Sequence, residues 1–347
     1  MPGLFEPDFT RFRKVLMRQG EPDRVPFYEL FADVEIMSAV LGRPVQTPED
    51  QIAYQVKLGY DYAVARAGKL DFPTTGQQSA ADTAELARAK RTFNVGGQGV
   101  IKSWEDFEKY PWPDPQKADY SQFEQMARAM PDGMKLVSLA GHVLEMPMAI
   151  MGYDALCALS CDEPDLIAAV FQRVGETYIS YYKTLASMDC VGALIISDDL
   201  GFKTQPLMSP AFLKQHVFPW YKRYCDICHA ANKPVILHSC GCLELVMDEI
   251  IACGIDAKHS YEDVILPVEQ AKKRYGDRVA ILGGLDVDFL CRSTPEQVRV
   301  RTREVLEKCM PGGGYALGTG NTVANYIPVE NFLAMIEVGR KVGVYGR

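Results

Sequence analysis

No stretch of 18 or more consecutive apolar residues occurs in this 347-residue chain, which excludes a membrane-spanning helix. The opening Met1-Pro2-Gly3-Leu4-Phe5-Glu6 has neither a charged n-region nor an apolar h-region, so no export signal is expected and the location is read as cytoplasmic. Basic residues are in deficit: 37 Lys and Arg face 45 Asp and Glu, a net charge of -8. That balance argues against nucleic acid as the main partner and leaves small-molecule chemistry as the default. No strand candidate is followed by GxGxxG, so a dinucleotide-binding sheet has little support. Gly312-Gly313-Gly314 lacks the Lys and Ser/Thr of a phosphate loop and reads as a turn. Low-complexity segments and convincing linkers are also missing, so residues 1–347 are expected to form one domain. The 10 cysteines lie scattered in a chain of cytosolic character, where thiols stay reduced. Cys225 and Cys228 form a CxxC inside a helix-like stretch with no strand before it, which reads as packing.

What the chain does contain is a repeated alternation of short apolar runs and amphipathic stretches. Strand candidates are 25–30, 62–67, 135–140, 193–197, 235–238, 255–259, 279–282 and 315–317. Helical patterning follows over 31–41 and 48–58, then 147–159 and 163–187, 210–231, 243–253, 267–275, 295–309 and 328–342. Strands each followed by helix predict an α/β fold, a (β/α)₈ barrel, with a doubly wound sheet as runner-up. Residues 68–116 stand outside the alternation. With Gly96-Gly97 and the Pro111-Trp112-Pro113-Asp114-Pro115 cluster, they are expected to form an irregular, lid-like insertion. Trp104 and Trp112 suit a lid and surface packing equally. Met146, Met148 and Met151 read as core filler, and His216 and His229 as structural or solvated.

His238-Ser239-Cys240 is the sharpest chemical signal. It ends the apolar run Pro234-Val235-Ile236-Leu237, and residues i and i+2 of an extended chain face one side. Imidazole and thiol could therefore converge on one ion, and that pair suits Zn²⁺ better than Mg²⁺ or Ca²⁺. The plain alternative is a strand-end histidine beside a buried thiol. In a barrel, residues at strand C-termini gather on one face, where barrel enzymes work. Those ends supply Glu29, Arg66, His142, Glu145, Asp198, Asp199, His238, Cys240, His259, Glu262, Asp286, Thr319 and Asn321. Singly, several of these suit helix caps, Asp198, Glu145 and Asp286 above all, and Glu29 is expected to face solvent or an arginine.

Arg24-Val25-Pro26, His238-Ser239-Cys240-Gly241, Tyr275-Gly276-Asp277-Arg278, Gly283-Gly284-Leu285-Asp286 and Thr294-Pro295-Glu296 together resemble the uroporphyrinogen decarboxylase superfamily. The resemblance is nearer to its corrinoid-dependent methyltransferase branch, the methylcobamide:coenzyme M type, and runs strongest from about Ile195 onward. The decarboxylases' RQAGRY signature is missing; Met17-Arg18-Gln19-Gly20-Glu21-Pro22 stands in that region. Without those arginines an eight-carboxylate porphyrinogen lacks counter-charges, which disfavours it as substrate.

The methyltransferase branch, like cobalamin-independent methionine synthase, implies zinc held by the His and Cys of HxC, a downstream Glu and a later Cys. Laid on this chain, the metal ligands would be His238, Cys240 and Glu262. The later Cys falls on Thr319 in Gly318-Thr319-Gly320, a poor replacement for thiolate. Three protein ligands and an open position suit a catalytic zinc. Cys242 is a poor substitute, because positions i, i+2 and i+4 of one strand do not converge. The implied chemistry is methyl transfer between a small methylated substrate or thiol and a corrinoid. Asp199 or His142 would shuttle a proton and Asn321 would orient substrate. Glu29, Glu145, Asp198, His259, Asp286 and Thr319 are assigned to the substrate-binding wall. No DxHxxG is present, so the corrinoid would come on a separate protein; a homodimer is also plausible for such barrels. Two alternatives stay open: a metal-free lyase acting on a small acid, and a non-catalytic carrier of a tetrapyrrole or corrinoid.

Overall fold

The computed structural model describes residues 5–66, 70, 72–75, 77–88, 90–94 and 99–346. Among them lie nine strands: β1 Tyr62–Arg66, β2 Gln77–Ala80, β3 Arg91–Asn94, β4 Lys135–Ala140, β5 Val191–Ser197, β6 Val235–His238, β7 Ala257–His259, β8 Ala280–Leu282 and β9 Tyr315–Ala316. Seven form one parallel sheet in the order β1-β4-β5-β6-β7-β8-β9, while β2 and β3 pair antiparallel outside it. Each crossover carries helix, as parallel pairing requires. β5 and β6 are almost wholly buried and rich in Val, Ile, Leu and Ala, the composition of a strand covered on both faces.

The first predicted strand, 25–30, joins as the eighth stave through bridges instead of a full ladder. The Leu317 amide donates to Pro26 O at 2.9 Å and the Tyr28 amide to Leu317 O at 2.8 Å, a parallel pairing alongside β9. On the other flank, among the described residues, no backbone ladder ties this segment to β1. Instead the Tyr62 hydroxyl bonds both the amide and the carbonyl of Glu29, each at 2.8 Å. Pro26 has no N–H to offer a ladder, which is one physical reason this stave stays irregular.

The helix Phe9–Leu16 closes the N-terminal end of the barrel. Phe12 stacks on Tyr62 with ring centroids 4.8 Å apart, and a Cβ at Gly192 would lie 2.4 Å from the Phe9 ring. Beside it Arg11 and Arg24 converge on Asp61, which is fully buried, and Asp23 chelates Arg11. The arginine of the Arg24-Val25-Pro26 signature therefore serves this buried ion network at the end remote from the mouth.

Several helices differ from the sequence pattern at their breaks. The stretch 147–159 is two helices, Glu145–Met151 and Tyr153–Asp162, because Gly152 adopts φ 80° between them. The stretch 210–231 divides into Pro210–His216 and Phe218–Ala230 around Val217, just before Pro219. Pro295–Cys309 begins with a complete Thr294/Gln297 capping box and matches its predicted span.

Within the insertion, Gly96-Gly97 lies outside the described residues. Residues 68–69, 71, 76, 89, 95 and 98 lie outside them too; among the described residues are the β2–β3 hairpin, a helix Trp104–Lys109 and a 3₁₀ turn Pro115–Lys117. The hairpin region is tied to the mouth: Arg88 pairs with Asp33 at 2.7 Å, and Asn325 donates to Asp82 at 2.6 Å. Trp112 packs edge-on against Tyr110, Phe107 and Phe72, whereas Trp104 is exposed. Cys225 and Cys228 are both buried free thiols, in keeping with packing. No helix among the described residues is long and apolar enough to cross a membrane.

Candidate functional site

The ends of β5 and β6 place a nitrogen, a sulfur and a carboxylate side by side. His238 closes β6, and Cys240 stands two residues on, so both side chains turn to the same side. Cys240 Sγ lies 3.7 Å from His238 Nε2. Asp199, two residues past the end of β5, accepts the Cys240 amide at 2.8 Å and sits 3.9 Å from His238 Nε2. Ligand atoms of Asp199, His238 and Cys240 all fall within 4.8 Å of one another.

His259, at the end of β7, decides which nitrogen of His238 is free. Its Nε2 is 3.0 Å from the Thr319 carbonyl, which can only accept, so that nitrogen carries the proton. Burial lowers the His259 pKa to about 3, so the ring is neutral and its Nδ1 keeps a lone pair. His238 Nδ1 stands 2.8 Å from it and must donate. Burial first, then the neighbouring His259 and Lys258, hold His238 neutral as well. The outcome is an unprotonated His238 Nε2 facing Cys240 and Asp199, the tautomer a metal ligand needs.

Burial and then the Asp199 charge raise the Cys240 pKa to about 12. Such a thiol needs a cation to become thiolate at neutral pH. The donor set passes a fit test for a tetrahedral ion. Zinc bond lengths imply edges of about 3.6 Å for S to N and about 3.4 Å for N to O; the Cys240–His238 and His238–Asp199 separations lie within about half an ångström of these, and the Cys240–Asp199 pair is within 4.8 Å. With three donors the site would stay open on one side, as catalytic sites do. Asn321 donates its amide to Cys240 Sγ at 3.2 Å.

Glu262 falls outside this close group. It lines a cavity of about 720 Å³ beside Asn321, Asp286 and Lys203. Thr319 is committed elsewhere: its amide donates to Glu29 Oε1 at 2.8 Å and its hydroxyl to Glu29 Oε2. Glu29 is buried, not solvent-facing, and burial raises its pKa to about 8. A Cβ at Gly318 would lie 1.7 Å from Tyr28 O, and Gly283 (φ +78°) would meet Thr319 O at 2.2 Å. Gly283 lets the Thr319 carbonyl approach His259, a geometric reason for glycine at that position.

A second group gathers His142, Glu145 and Asp198. Asp198 Oδ2 accepts the Val143 and Leu144 amides, both at 2.8 Å, and the Tyr221 hydroxyl at 2.8 Å; Oδ1 accepts the Glu145 amide at 2.8 Å. It caps the helix Glu145–Met151 from a neighbouring stave and has no oxygen left for a substrate. Burial, then the Glu145 charge, raises its pKa to about 6 against the pull of those donors. Asp286 is similarly engaged, accepting the Asp263 amide at 2.8 Å and the Phe289 amide at 3.1 Å. His142 and Glu145 pair at 3.1 Å and are both partly open. Burial pulls the His142 pKa down, but the hydrogen bond and charge of Glu145 outweigh it and leave it raised. With Arg66, Tyr178 and Tyr181, His142 lines a cavity of about 410 Å³.

Lys258 had no assigned role from sequence, yet it is buried within β7. Its ammonium donates to the Ser260 carbonyl and lies 4.3 Å from the Tyr261 ring centroid, and burial lowers its pKa to about 8. The only sequence signal was a lysine inside a short buried strand.

Among curated proteins, the chain is 28% identical over 208 residues to a methylated-thiol–coenzyme M methyltransferase of Methanosarcina mazei, covering 60% of this chain and 51% of that protein. It is 25% identical over 178 residues to a methylcobamide:CoM methyltransferase of Methanosarcina barkeri, covering 51% and 49% respectively. These matches span about half the length of those two relatives. A uroporphyrinogen decarboxylase of Alkalilimnicola ehrlichii is 27% identical over 249 residues, covering 68% of this chain and 66% of that protein. Among solved structures, a methyltransferase from Methanosarcina mazei superposes with a TM-score of 0.69 at 16% identity, covering 96% of this chain and 98% of that one, which supports the barrel fold. The sequence profile of uroporphyrinogen decarboxylase (URO-D) matches residues 95–342, most of the chain, and on that match the protein belongs to the URO-D family.

Proposed function

We propose that this protein transfers a methyl group between a small methylated substrate or thiol and a corrinoid carried on a separate protein, using a zinc ion bound at His238 and Cys240. The observation that carries the reading is the 3.7 Å approach of Cys240 Sγ to a His238 Nε2 freed of its proton by His259. Relatives named as coenzyme M methyltransferases support the same reaction class. When bound, the ion supplies Lewis acidity, lowering the pKa of a thiol so that it attacks as thiolate.

The chain's own groups have separable tasks. His238 and Cys240 hold the ion, and a carboxylate completes the set, Glu262 being the one the family resemblance implies. Asn321 fixes the Cys240 sulfur and faces the cavity of about 720 Å³ where a small substrate would lie. His142, backed by Glu145, gives up or takes a proton at the mouth. The corrinoid protein would dock over the same rim.

The test is direct. Zinc-loaded protein is mixed with methylcobalamin and a panel of thiols, and with cob(I)alamin and a panel of methyl thioethers and methyl ethers. Loss or gain of the cobalt–methyl absorbance is followed. Turnover that needs zinc and disappears in Cys240→Ser is expected. Silence across every pair would end the methyl-transfer reading.

A second reading, a metal-free lyase acting on a small acid, draws on the uroporphyrinogen decarboxylase relative and on Arg66, which lines the same cavity as His142. It requires CO₂ release from small carboxylic acids by protein stripped of metal.

A further inference from the structure

We infer that Asp199, and not Glu262, is the carboxylate ligand of the metal centre, giving a mixed nitrogen, sulfur and oxygen set drawn from the ends of two neighbouring staves. The inference rests on the reading above that a divalent cation binds at His238 and Cys240.

Four observations carry it. Asp199 is already held in place: the Cys240 amide donates to its Oδ1 at 2.8 Å, so thiol and carboxylate are tied to one another before any ion arrives. Its Oδ1 is 3.9 Å from His238 Nε2, one edge of a tetrahedron that needs closing by about half an ångström. Glu262, by contrast, does not enter the group whose ligand atoms lie within 4.8 Å, and it faces the larger cavity. Thr319 cannot take its place, since its hydroxyl and amide both serve the buried Glu29.

The chemistry agrees with the geometry. Asp199 is half-buried with an edge to solvent, so the ion would keep an open side. One thiolate and one carboxylate balance a divalent charge, with neutral His238 as the third donor. Replacing a second sulfur with oxygen makes the set harder, which shifts preference away from soft ions such as Cu(I) and toward Zn²⁺ or Co²⁺.

Cobalt(II) titration of metal-free protein tests this by absorbance, independent of any turnover. In the parent protein, Co²⁺ is expected to give sulfur-to-metal charge-transfer and d–d bands. Asp199→Asn keeps an oxygen for the Cys240 amide, so the fold should hold, as circular dichroism would verify. This variant should weaken Co²⁺ binding by roughly tenfold to a hundredfold and shift the d–d bands. Glu262→Gln should leave both within about twofold of the parent. Weakening in Glu262→Gln, or none in Asp199→Asn while His238→Ala abolishes binding, overturns the assignment of the carboxylate. Absence of Co²⁺ and Zn²⁺ binding in the parent, or binding unchanged in His238→Ala, sinks the metal reading itself.

Discussion

Two groups, each with a histidine and an aspartate, stand on the same rim, and their hydrogen bonds separate them. In the group of His142, Glu145 and Asp198, the buried aspartate is saturated by three amides and a tyrosine hydroxyl. In the group of Asp199, His238 and Cys240, the aspartate meets one amide and the histidine presents a bare nitrogen to a sulfur. The two aspartates are adjacent in sequence. Successive side chains of an extended strand end point to opposite sides, so one residue anchors a helix and its neighbour reaches the mouth. A carboxylate's role is thus set by how many of its lone pairs the fold has already filled.

The sharpest way to break this contrast is Asp198→Ala. It would leave two buried amides, a half-buried one and the Tyr221 hydroxyl without an acceptor, at a cost of about 3–5 kcal/mol. Thermal unfolding should register a large drop, while the protein that remains folded binds zinc with parental affinity. A stability change under about 1 kcal/mol would contradict the anchoring role.

His259→Ala acts on the other group. Losing the acceptor that sets the His238 tautomer should lower zinc affinity by roughly tenfold to a hundredfold, read by competition with a chelating dye. Unchanged affinity would mean that His238 does not depend on this relay.

The third effect, from Glu29→Gln, is one of pH dependence. The folded pKa of Glu29, about 8, lies above the value for an unfolded chain, so the native state holds the extra proton between roughly pH 4.3 and 8. Stability from this group is therefore fully present below the unfolded pKa and is lost as pH rises through the folded one. The glutamine variant should flatten the fall of Tm over that window, and an identical pH profile would refute the buried acid.

Legibility followed the range of the forces involved. The staves were readable because a strand buried on both faces must be apolar throughout, as Val235-Ile236-Leu237 is, and because Pro and Thr mark helix starts such as Thr294-Pro295. Breaks at Gly152 and Val217 were hidden within continuous helical patterning. The pairing of His238 with Cys240 was also readable, since strand alternation is local. The engagement of Thr319 with Glu29, residues 290 apart in sequence, left no local trace, nor did the burial of Glu29 or Lys258.

The sequence by itself determined the succession of strands and helices, and with it a barrel whose mouth would be rich in ionisable groups. It also put imidazole and thiol two residues apart at a strand end. Only the tertiary structure decided which carboxylate stands beside them and which histidine orients them. Those choices depend on contacts across staves, and periodicity along a chain carries no information about which neighbour's lone pairs are already taken.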